Sequence, residues 1–211
     1  MTTYLTSAYL APVQYYTKFV VDQEIVIEQN DNYVKQTYRN RCSIVSANGP
    51  ISLSIPVVHS SSEKIMTKDI RIAEHGNWQH MHWNAIISAY NSTPFFEFYM
   101  DDFYPFFHKK INFLFDFNIE LHSLLLKLLN VETPDIIFTE KYKTNFSDGE
   151  LDMRETIHPK KDWKTDPDFH PSPYYQVFDQ KYGFTENMSI IDLLFNMGNE
   201  SLIVLKNSIR R

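Results

Sequence analysis

The residues between positions 32 and 41 concentrate the groups best suited to bind a charged or hydroxylated ligand. This basic segment (residues 32–41) contains three cations and two tyrosines, namely Tyr33, Lys35, Tyr38, Arg39 and Arg41. The whole chain is acidic, with a net charge of -6, so the local positive charge contrasts with its surroundings. Arg binds phosphate and carboxylate groups bidentately, and Lys binds them as a point charge. The basic segment is therefore the first candidate binding site.

Alternation along the basic segment separates its side chains into two sets. In an extended conformation, four of them would project to one side, because successive strand residues point to opposite faces. These four are Tyr33, Lys35, Arg39 and Arg41. Tyr38 and Asn40 would lie on the opposite side. The cationic side suits a phosphate or carboxylate; the alternative is a solvated edge strand whose charges discourage aggregation.

His82 is the candidate for proton transfer. It shares a predicted helical face with Trp78 and Ile86, and an imidazole can act as acid or base near neutral pH. The alternative is a core histidine whose hydrogen bonds are satisfied. His80 and His82 cannot share a metal ion, because helical residues two apart point to nearly opposite sides. We therefore expect no metal site, and the sequence indicates no particular cofactor.

Strand and helix patterns that would position these residues follow one another along the chain. Strands are expected around residues 4–6, 24–28, 51–55, 70–72 and 135–138. Helices are expected over residues 13–21, 78–90, 94–99, 110–130 and 189–196. Asn48-Gly49 between apolar runs predicts a hairpin turn. We expect a single domain over residues 1–211 with an α/β (mixed α+β) fold, a central mixed β-sheet and a helical middle section.

Three further local patterns lead to expectations. Residues 60–64 are polar and predict a solvent loop. Residues 141–171 are rich in Lys, Asp, Pro and Thr, with Trp163 as the only tryptophan, and fit either a mobile lid or a packed crossover. Ser189 and Asp192 have the spacing of a capping box at the start of a helix.

Composition excludes several classes of function. The acidic charge argues against nucleic acid as the main partner. G-x-G-x-x-G, Walker and G-x-S-x-G motifs are missing, which argues against dinucleotide-binding, P-loop and α/β-hydrolase chemistry. Cys42 is the single cysteine, which is typical of a reducing compartment. Without a secretory signal or an apolar stretch of about 18 residues, we expect a cytoplasmic protein with no transmembrane segment.

Aromatic residues are unusually frequent. The 16 Phe, 13 Tyr and 3 Trp make up 15% of the chain. Tyrosine presents an apolar ring together with a polar hydroxyl, so tyrosine-rich surfaces suit sugars and other amphipathic ligands. The alternative is a core built from aromatic rings with tyrosines at its edge.

Several motifs, in order along the chain, resemble those of the WbqC-like protein family. The basic segment is similar to the family's Tyr-x-Lys and Asn-Arg core, through Tyr33, Lys35, Tyr38, Asn40 and Arg41. The other similar stretches are residues 9–18, 55–57, 78–96 and 189–198. One departure is Ser7-Ala8, which stands where the family has Gln-Pro.

The resemblance implies a role in making bacterial surface polysaccharide, because the family is associated with O-antigen and capsule gene clusters. It also suggests transfer of a glycyl or other acyl group to a sugar, while leaving open whether the protein is an enzyme. The expected partner is a nucleotide- or lipid-linked sugar. The alternatives are a non-catalytic glycan- or nucleotide-sugar-binding module, and a structural subunit whose Lys35–Arg41 surface is covered in a homodimer.

Residue roles follow from the resemblance and from side-chain chemistry together. Lys35 and Arg41 are expected to hold a phosphate or carboxylate. Tyr38 and Asn40 would orient the sugar, with Tyr33 as a further binding residue. His82 would deprotonate the acceptor amine or hydroxyl.

Overall fold

The chain folds into a mixed α/β structure, which confirms the predicted fold class. A computed structural model describes residues 1–58, 64–132 and 135–210. The strands are β1 (Thr2–Thr6), β2 (Glu24–Glu28), β3 (Arg41–Ser46), β4 (Gly49–Ser54), β5 (Val57–Val58), β6 (Arg71–Ile72), β7 (Asp135–Phe138) and β8 (Glu150–Asp152). The α-helices are α1 (Val13–Val21), α2 (Trp78–Tyr90), α3 (Phe96–His108), α4 (Leu114–Leu128), α5 (Asp179–Tyr182), α6 (Ile190–Met197) and α7 (Ser201–Asn207). The solvent loop expected at residues 60–64 lies outside the described residues except for Lys64.

A four-stranded parallel sheet forms the framework of the structure. Its strand order is β7-β2-β1-β8, and all three pairings are parallel. Parallel neighbours need a crossover between them, and α1 supplies it between β1 and β2. Ile25, Val26 and Ile27 of β2 are consecutive and all buried, which is the pattern of a parallel strand covered on both faces. The carboxyl ends of all four strands therefore meet at one edge of this sheet.

The antiparallel strands form two separate two-stranded sheets. β3 and β4 pair as a hairpin, and the register of Ser46 with Gly49 confirms the turn that Asn48-Gly49 predicted. Asn40 continues this ladder, since its carbonyl accepts from the Ile55 N–H at 2.8 Å. β5 and β6 form the second pair. The hairpin thus fixes the direction in which the chain leaves the basic segment.

The long middle helix begins later than predicted. Helical spacing favoured residues 110–130, whereas α4 spans Leu114–Leu128. Residues 112–114 are instead tied to β6, because the Asn112 carbonyl accepts from Ile72 and the Leu114 N–H donates to Ile70, each at 2.9 Å. These backbone bonds satisfy groups that a helix would otherwise use, and α4 starts where they end.

Aromatic rings fill much of the core around the helical middle section. Phe195 of α6 contacts rings from α2 and α3, with centroid distances of 5.3 Å to Tyr90, 5.2 Å to Phe96 and 5.3 Å to Phe103. All four rings are buried, and edge-to-face pairs of this kind stabilise a core beyond simple area burial. Part of the high aromatic content is therefore explained by packing.

Asp192 does not form the predicted capping box with Ser189. The Ser189 hydroxyl donates to the Leu10 carbonyl at 2.7 Å and makes no side-chain cap. The buried Asp192 carboxylate accepts instead from Tyr90 at 3.0 Å and from Tyr174 at 2.7 Å. Tertiary partners of this strength outcompete a local cap, because a buried carboxylate must be hydrogen-bonded.

Residues 141–171 form a packed crossover, the second of the two forms expected for them. This segment contributes β8 to the edge of the parallel sheet. Met153, Ile157 and Phe169 are buried, and so is the polar side chain of Asp166. Asp166 accepts from Lys18 at 2.7 Å and thereby ties the crossover to α1. The segment is part of the framework that carries the site described below.

Within the part of the chain that the structure describes, no helix combines the length and the apolar character needed to cross a membrane.

Candidate functional site

The basic segment is not the extended strand that its alternation suggested. Residues 32–40 form bends and a turn, and β3 begins only at Arg41. Gln36 has a φ of 60°, in the left-handed region, which ends any regular alternation of side chains. Lys35 is consequently exposed, whereas Arg39 is 2% exposed. The prediction that these two cations share one surface was therefore wrong.

Arg39 is held inside the protein by two carboxylates. Its Nη2 donates to Asp31 at 2.5 Å and to Glu155 at 3.0 Å, and its Nε donates to Asp31 at 3.1 Å. Asp31 follows β2 and Glu155 follows β8, so Arg39 joins two strand ends through the basic segment. A buried guanidinium requires partners of this kind, since an unpaired charge in the interior is costly.

Arg154 forms the centre of a second ion-pair network at the same sheet edge. It donates to Glu28 at 2.9 Å and bidentately to Asp152 at 2.8 Å, and its Nη2 also reaches the Lys143 carbonyl at 2.8 Å. Burial alone would raise the pKa of Asp152, but its hydrogen bonds with Arg154 outweigh that effect and lower the pKa. Glu28 is fully buried and also accepts from Thr139 at 2.6 Å.

A cleft opens beside these networks, where the segments following β2, β7 and β8 come together. This carboxyl-edge cleft has a volume of about 390 Å³ and is lined by Asn30, Asp31, Asn32, Val34, Tyr142, Arg154 and Glu155. In sheets of parallel strands, ligands bind preferentially in the crevice outside the carboxyl ends. The Tyr142 ring lies over the Arg154 guanidinium, at 4.5 Å from the ring centroid, and Tyr142 is 52% exposed. The cleft thus combines amides, charges and an accessible aromatic ring.

Residues of the basic segment occupy different positions relative to this cleft. Asn32 and Val34 line it, and Lys35 follows them on the exposed surface. Tyr33 is buried, and its burial raises the pKa of its hydroxyl to about 12 against the opposing influence of Arg39 and Arg41. Lys35 makes no ion pair with any residue that the structure describes.

Tyr38, Asn40 and Arg41 lie toward the β3–β4 hairpin. Asn40 Nδ2 donates to the Ile55 carbonyl at 2.9 Å, and Arg41 Nε donates to the Ser54 hydroxyl at 3.0 Å. Burial raises the pKa of Tyr38 to about 12, with a smaller contribution from Cys42. None of the five predicted binding residues lines the carboxyl-edge cleft; only Tyr33, which is buried, and Lys35, which is exposed, follow directly after a lining residue.

His82 is buried in the core beneath the hairpin. Its Nδ1 lies 2.9 Å from the Tyr9 hydroxyl, and its ring packs edge-on against Trp78 with centroids 5.1 Å apart. Burial lowers the pKa of His82 to about 4, although a hydrogen bond with the Ser54 backbone opposes the shift. The imidazole is therefore neutral at pH 7. Its surroundings match the core histidine that was the alternative to proton transfer.

A metal site is not evident in the described residues. No group of three or more His, Cys, Asp or Glu side chains among them has an arrangement that could hold a metal ion. The carboxylates near the cleft are occupied mainly by arginine: Asp31 and Glu155 by Arg39, Glu28 and Asp152 by Arg154. The electrostatics of the site are set by these four carboxylates and two guanidiniums.

Several residues of the cleft were not singled out from the sequence. Glu28 and Asp31 could have been identified from the sequence. Glu28 ends a correctly predicted strand and Asp31 follows it, and the ends of parallel strands gather at one edge of a sheet. Arg154 could not have been identified in this way, since β8 lies within a stretch whose sequence shows no strand pattern. Its role follows only from the pairing of β8 with β1.

Comparisons with known proteins give one result. The sequence model of the WbqC-like protein family matches residues 7–161, which include the basic segment, His82 and every lining residue of the carboxyl-edge cleft. No curated protein and no solved structure matches the chain. Because the match covers well over half of its length, the chain belongs to the WbqC-like protein family.

Proposed function

We propose that this protein acts in the cytoplasm in the biosynthesis of bacterial surface polysaccharide, such as O-antigen or capsule, by transferring a glycyl or other acyl group to a nucleotide- or lipid-linked sugar. The family resemblance of the motifs supports the pathway. The carboxyl-edge cleft supports the ligand class and is the observation on which the proposal rests.

The lining of the cleft suits a hydroxylated ring better than an apolar ligand. Asn32 offers both an amide donor and an amide acceptor, and Glu155 offers carboxylate oxygens to hydroxyl groups. Tyr142 supplies an exposed ring on which the C–H face of a sugar can lie. A cleft of about 390 Å³ falls within the usual size range of small-molecule sites. These features together favour a sugar.

The phosphate of the ligand would lie at the rim of the cleft beside the basic segment. Lys35 is exposed next to the lining residue Val34, and a Lys ammonium binds phosphate as a point charge. Arg41 is a second cation for the same role, further along toward the hairpin. The resemblance and side-chain chemistry also make Tyr33, Tyr38 and Asn40 candidates for orienting the ligand, although none of them lines the cleft. The Asn40 Oδ1 is buried and accepts no hydrogen bond from the described residues.

The transfer itself requires an activated acyl donor, which we propose is a thioester or an aminoacyl ester. The bond between the acyl carbon and the donor's sulfur or oxygen breaks, and a bond to the acceptor amine or hydroxyl of the sugar forms. The acceptor's proton passes to a base, and the donor leaves as its thiol or alcohol. His82 is the proposed base; its Nδ1 lies 2.9 Å from the hydroxyl of Tyr9, which is itself buried.

Thermal-shift measurements with sugar 1-phosphates and nucleotide sugars test the binding step. A true ligand raises the unfolding temperature, because it stabilises the folded protein by RT ln(1 + L/Kd), where L is the free ligand concentration. The Tyr142→Ala variant should lose most of this stabilisation. Tyr175→Ala is the matched control, because Tyr175 is 49% exposed but does not line the cleft. Equal losses in both variants would contradict the location of the site.

A non-catalytic sugar-binding module is the second candidate, and the state of His82 favours it. A base with a pKa of about 4 that is already hydrogen-bonded to Tyr9 is a weak proton acceptor at neutral pH. This candidate predicts that His82→Gln binds the sugar phosphate as tightly as the parent protein and that neither shows turnover. The transferase predicts acyl transfer by the parent protein and a loss of at least 100-fold in His82→Gln.

A further inference from the structure

The carboxyl-edge cleft is acidic in its interior even though it lies beside the basic segment. Four carboxylates line it or contact its lining: Glu28, Asp31, Asp152 and Glu155. They pair with the guanidiniums of Arg39 and Arg154. A third cation, Lys68, donates to Asn30 Oδ1 at 2.8 Å, and the Asn30 N–H donates to Glu28. The negative groups outnumber the positive ones. The interior therefore attracts positive charge.

The two arginines direct most of their nitrogens to carboxylates of the protein. Arg154 directs Nε and both terminal nitrogens to Glu28, Asp152 and the Lys143 carbonyl. Arg39 is 2% exposed and directs Nε and Nη2 to Asp31 and Glu155. A phosphate inside the cleft would compete with these carboxylates for the two guanidiniums. The phosphate of the ligand would therefore lie outside the cleft, beside Lys35.

Asp31 retains a hydrogen-bond acceptor that the described residues do not use. It lines the cleft, and its side chain is only 8% exposed. All of its contacts with Arg39 are made by Oδ2, whereas Oδ1 is buried and accepts no hydrogen bond within the described part of the chain. A buried carboxylate oxygen without a donor is costly, so it indicates a missing partner.

Glu155 provides a second acceptor close to Asp31. Both carboxylates accept from the same Arg39 nitrogen, at 2.5 and 3.0 Å, which places them near each other. The Glu155 side chain is 56% exposed and can be reached from the cleft. An ammonium group carries three N–H donors and one positive charge, which matches two neighbouring carboxylates with spare acceptors.

From these observations we infer that the cleft recognises an amino sugar, with the sugar's primary ammonium group held by Asp31 and Glu155 and its ring against Tyr142. The inference rests on the proposed function, since it specifies the sugar that the cleft binds. An N-acetylated sugar would place an uncharged amide at the acidic site, and a sugar with a hydroxyl there would lack the positive charge. Both should bind less tightly.

Titration calorimetry with glucosamine 1-phosphate, N-acetylglucosamine 1-phosphate and glucose 1-phosphate tests the inference. The three probes share the phosphate and differ at one substituent, and the pH is kept below the pKa of the sugar amine. We expect glucosamine 1-phosphate to bind at least tenfold more tightly than either of the others. Glu155→Gln should reduce this preference to less than threefold.

Glu74→Gln is the matched control for Glu155→Gln. Glu74 is also an exposed glutamate paired with a cation, Lys110, but it does not line the cleft. It should leave the tenfold preference unchanged. If Glu155→Gln does not fold, the ratio of the dissociation constants of the three probes for the parent protein still tests the ammonium subsite.

Two adverse results have different meanings. Equal binding of all three probes would overturn the ammonium subsite and leave sugar-phosphate binding in place. Absence of binding by all three would overturn the proposed function together with this inference.

Discussion

Arg154 donates a hydrogen bond of 2.9 Å to Glu28, and this buried pair joins the segment after β8 to the carboxyl end of β2. The two strands are not neighbours in the sheet, because β1 lies between them. The pair therefore spans the strand that separates its partners. It fixes the relative position of the two segments that line the carboxyl-edge cleft.

Removing this pair should destabilise the protein strongly. Arg154→Met leaves the Glu28 carboxylate buried without its cation, and we expect a loss of about 3–5 kcal/mol in the free energy of unfolding. Urea unfolding followed by circular dichroism measures it. Lys110→Met is the control, because its pair with Glu74 is exposed and should contribute little to stability. Similar losses in the two variants would contradict a special role for the buried pair.

Lys35 should affect ligand binding without affecting stability. Its side chain is exposed and makes no ion pair with the described residues, so Lys35→Ala should leave the unfolding temperature unchanged. Loss of one exposed charge at the phosphate should weaken binding of glucose 1-phosphate by about fivefold, roughly 1 kcal/mol. Calorimetry at low ionic strength measures this, and added salt should reduce the difference. Lys206→Ala, an exposed lysine on α7, should behave like the parent protein.

The two buried histidines should make stability depend on pH. Burial lowers the pKa of His82 to about 4 and that of His122 to about 3, from the ordinary value of 6.5. Between these values and 6.5 the unfolded chain binds more protons than the folded one, so each histidine's contribution is present above pH 6.5 and is lost as the pH falls. For His82 the full difference corresponds to about 3 kcal/mol.

Urea unfolding at pH 7 and pH 4.5 measures this dependence. His122→Gln removes one titrating group, so its free energy of unfolding should fall less between the two pH values than that of the parent protein. Comparing the two proteins cancels the contributions of the carboxylates. An identical fall in both would show that His122 takes up its proton equally in the folded and unfolded states.

Asp192 should be a major contributor to stability. Its carboxylate accepts from Tyr90 and Tyr174 and from Gln176 Nε2 at 2.7 Å, all in the buried core. Asp192→Asn turns an amide donor toward these donors, and we expect a loss of about 2 kcal/mol in the free energy of unfolding. Asp116→Asn is the matched control, because Asp116 also lies in the first turn of a helix but is exposed. A loss in the control as large as that in Asp192→Asn would attribute the effect to the helix terminus.

Cys42 should react only when the protein unfolds. It is buried, and burial raises the pKa of its thiol well above the ordinary value, so the reactive thiolate is scarce. Labelling with a thiol reagent should be at least 100-fold slower in buffer than in denaturing urea. Rapid labelling of the folded protein would show that the hairpin strand β3 opens readily.

Much of the fold could be predicted from local patterns. The helix at residues 13–21, the strand at 24–28 and the helix at 78–90 have the predicted bounds. The two helices repeat apolar residues at helical spacing, and the strand is a run of consecutive apolar residues. The turn at Asn48-Gly49 is specified by the left-handed backbone that Gly49 adopts at a φ of 98°. Local sequence patterns are sufficient to predict a helix or strand that is amphipathic or buried on all sides.

The basic segment shows where local patterns were insufficient. Alternation predicts a shared surface for Lys35 and Arg39 only if the backbone is extended, and the left-handed Gln36 breaks that condition. Arg39 then turns inward because Asp31 and Glu155 compensate its charge there. Glu155 could not be assigned as a partner from spacing, since it lies more than one hundred residues further along the chain.

The sequence by itself determined the family, the mixed α/β class and the segment that carries the cations. These depend on residue types and on periods of a few residues, which are visible without coordinates. Only the tertiary structure decided which charges are buried, that the ends of β2 and β8 enclose a cleft, and that His82 is a neutral core residue. The reason is physical: ion pairing, desolvation and cavity shape depend on distances between residues that the chain brings together only when the parallel sheet forms.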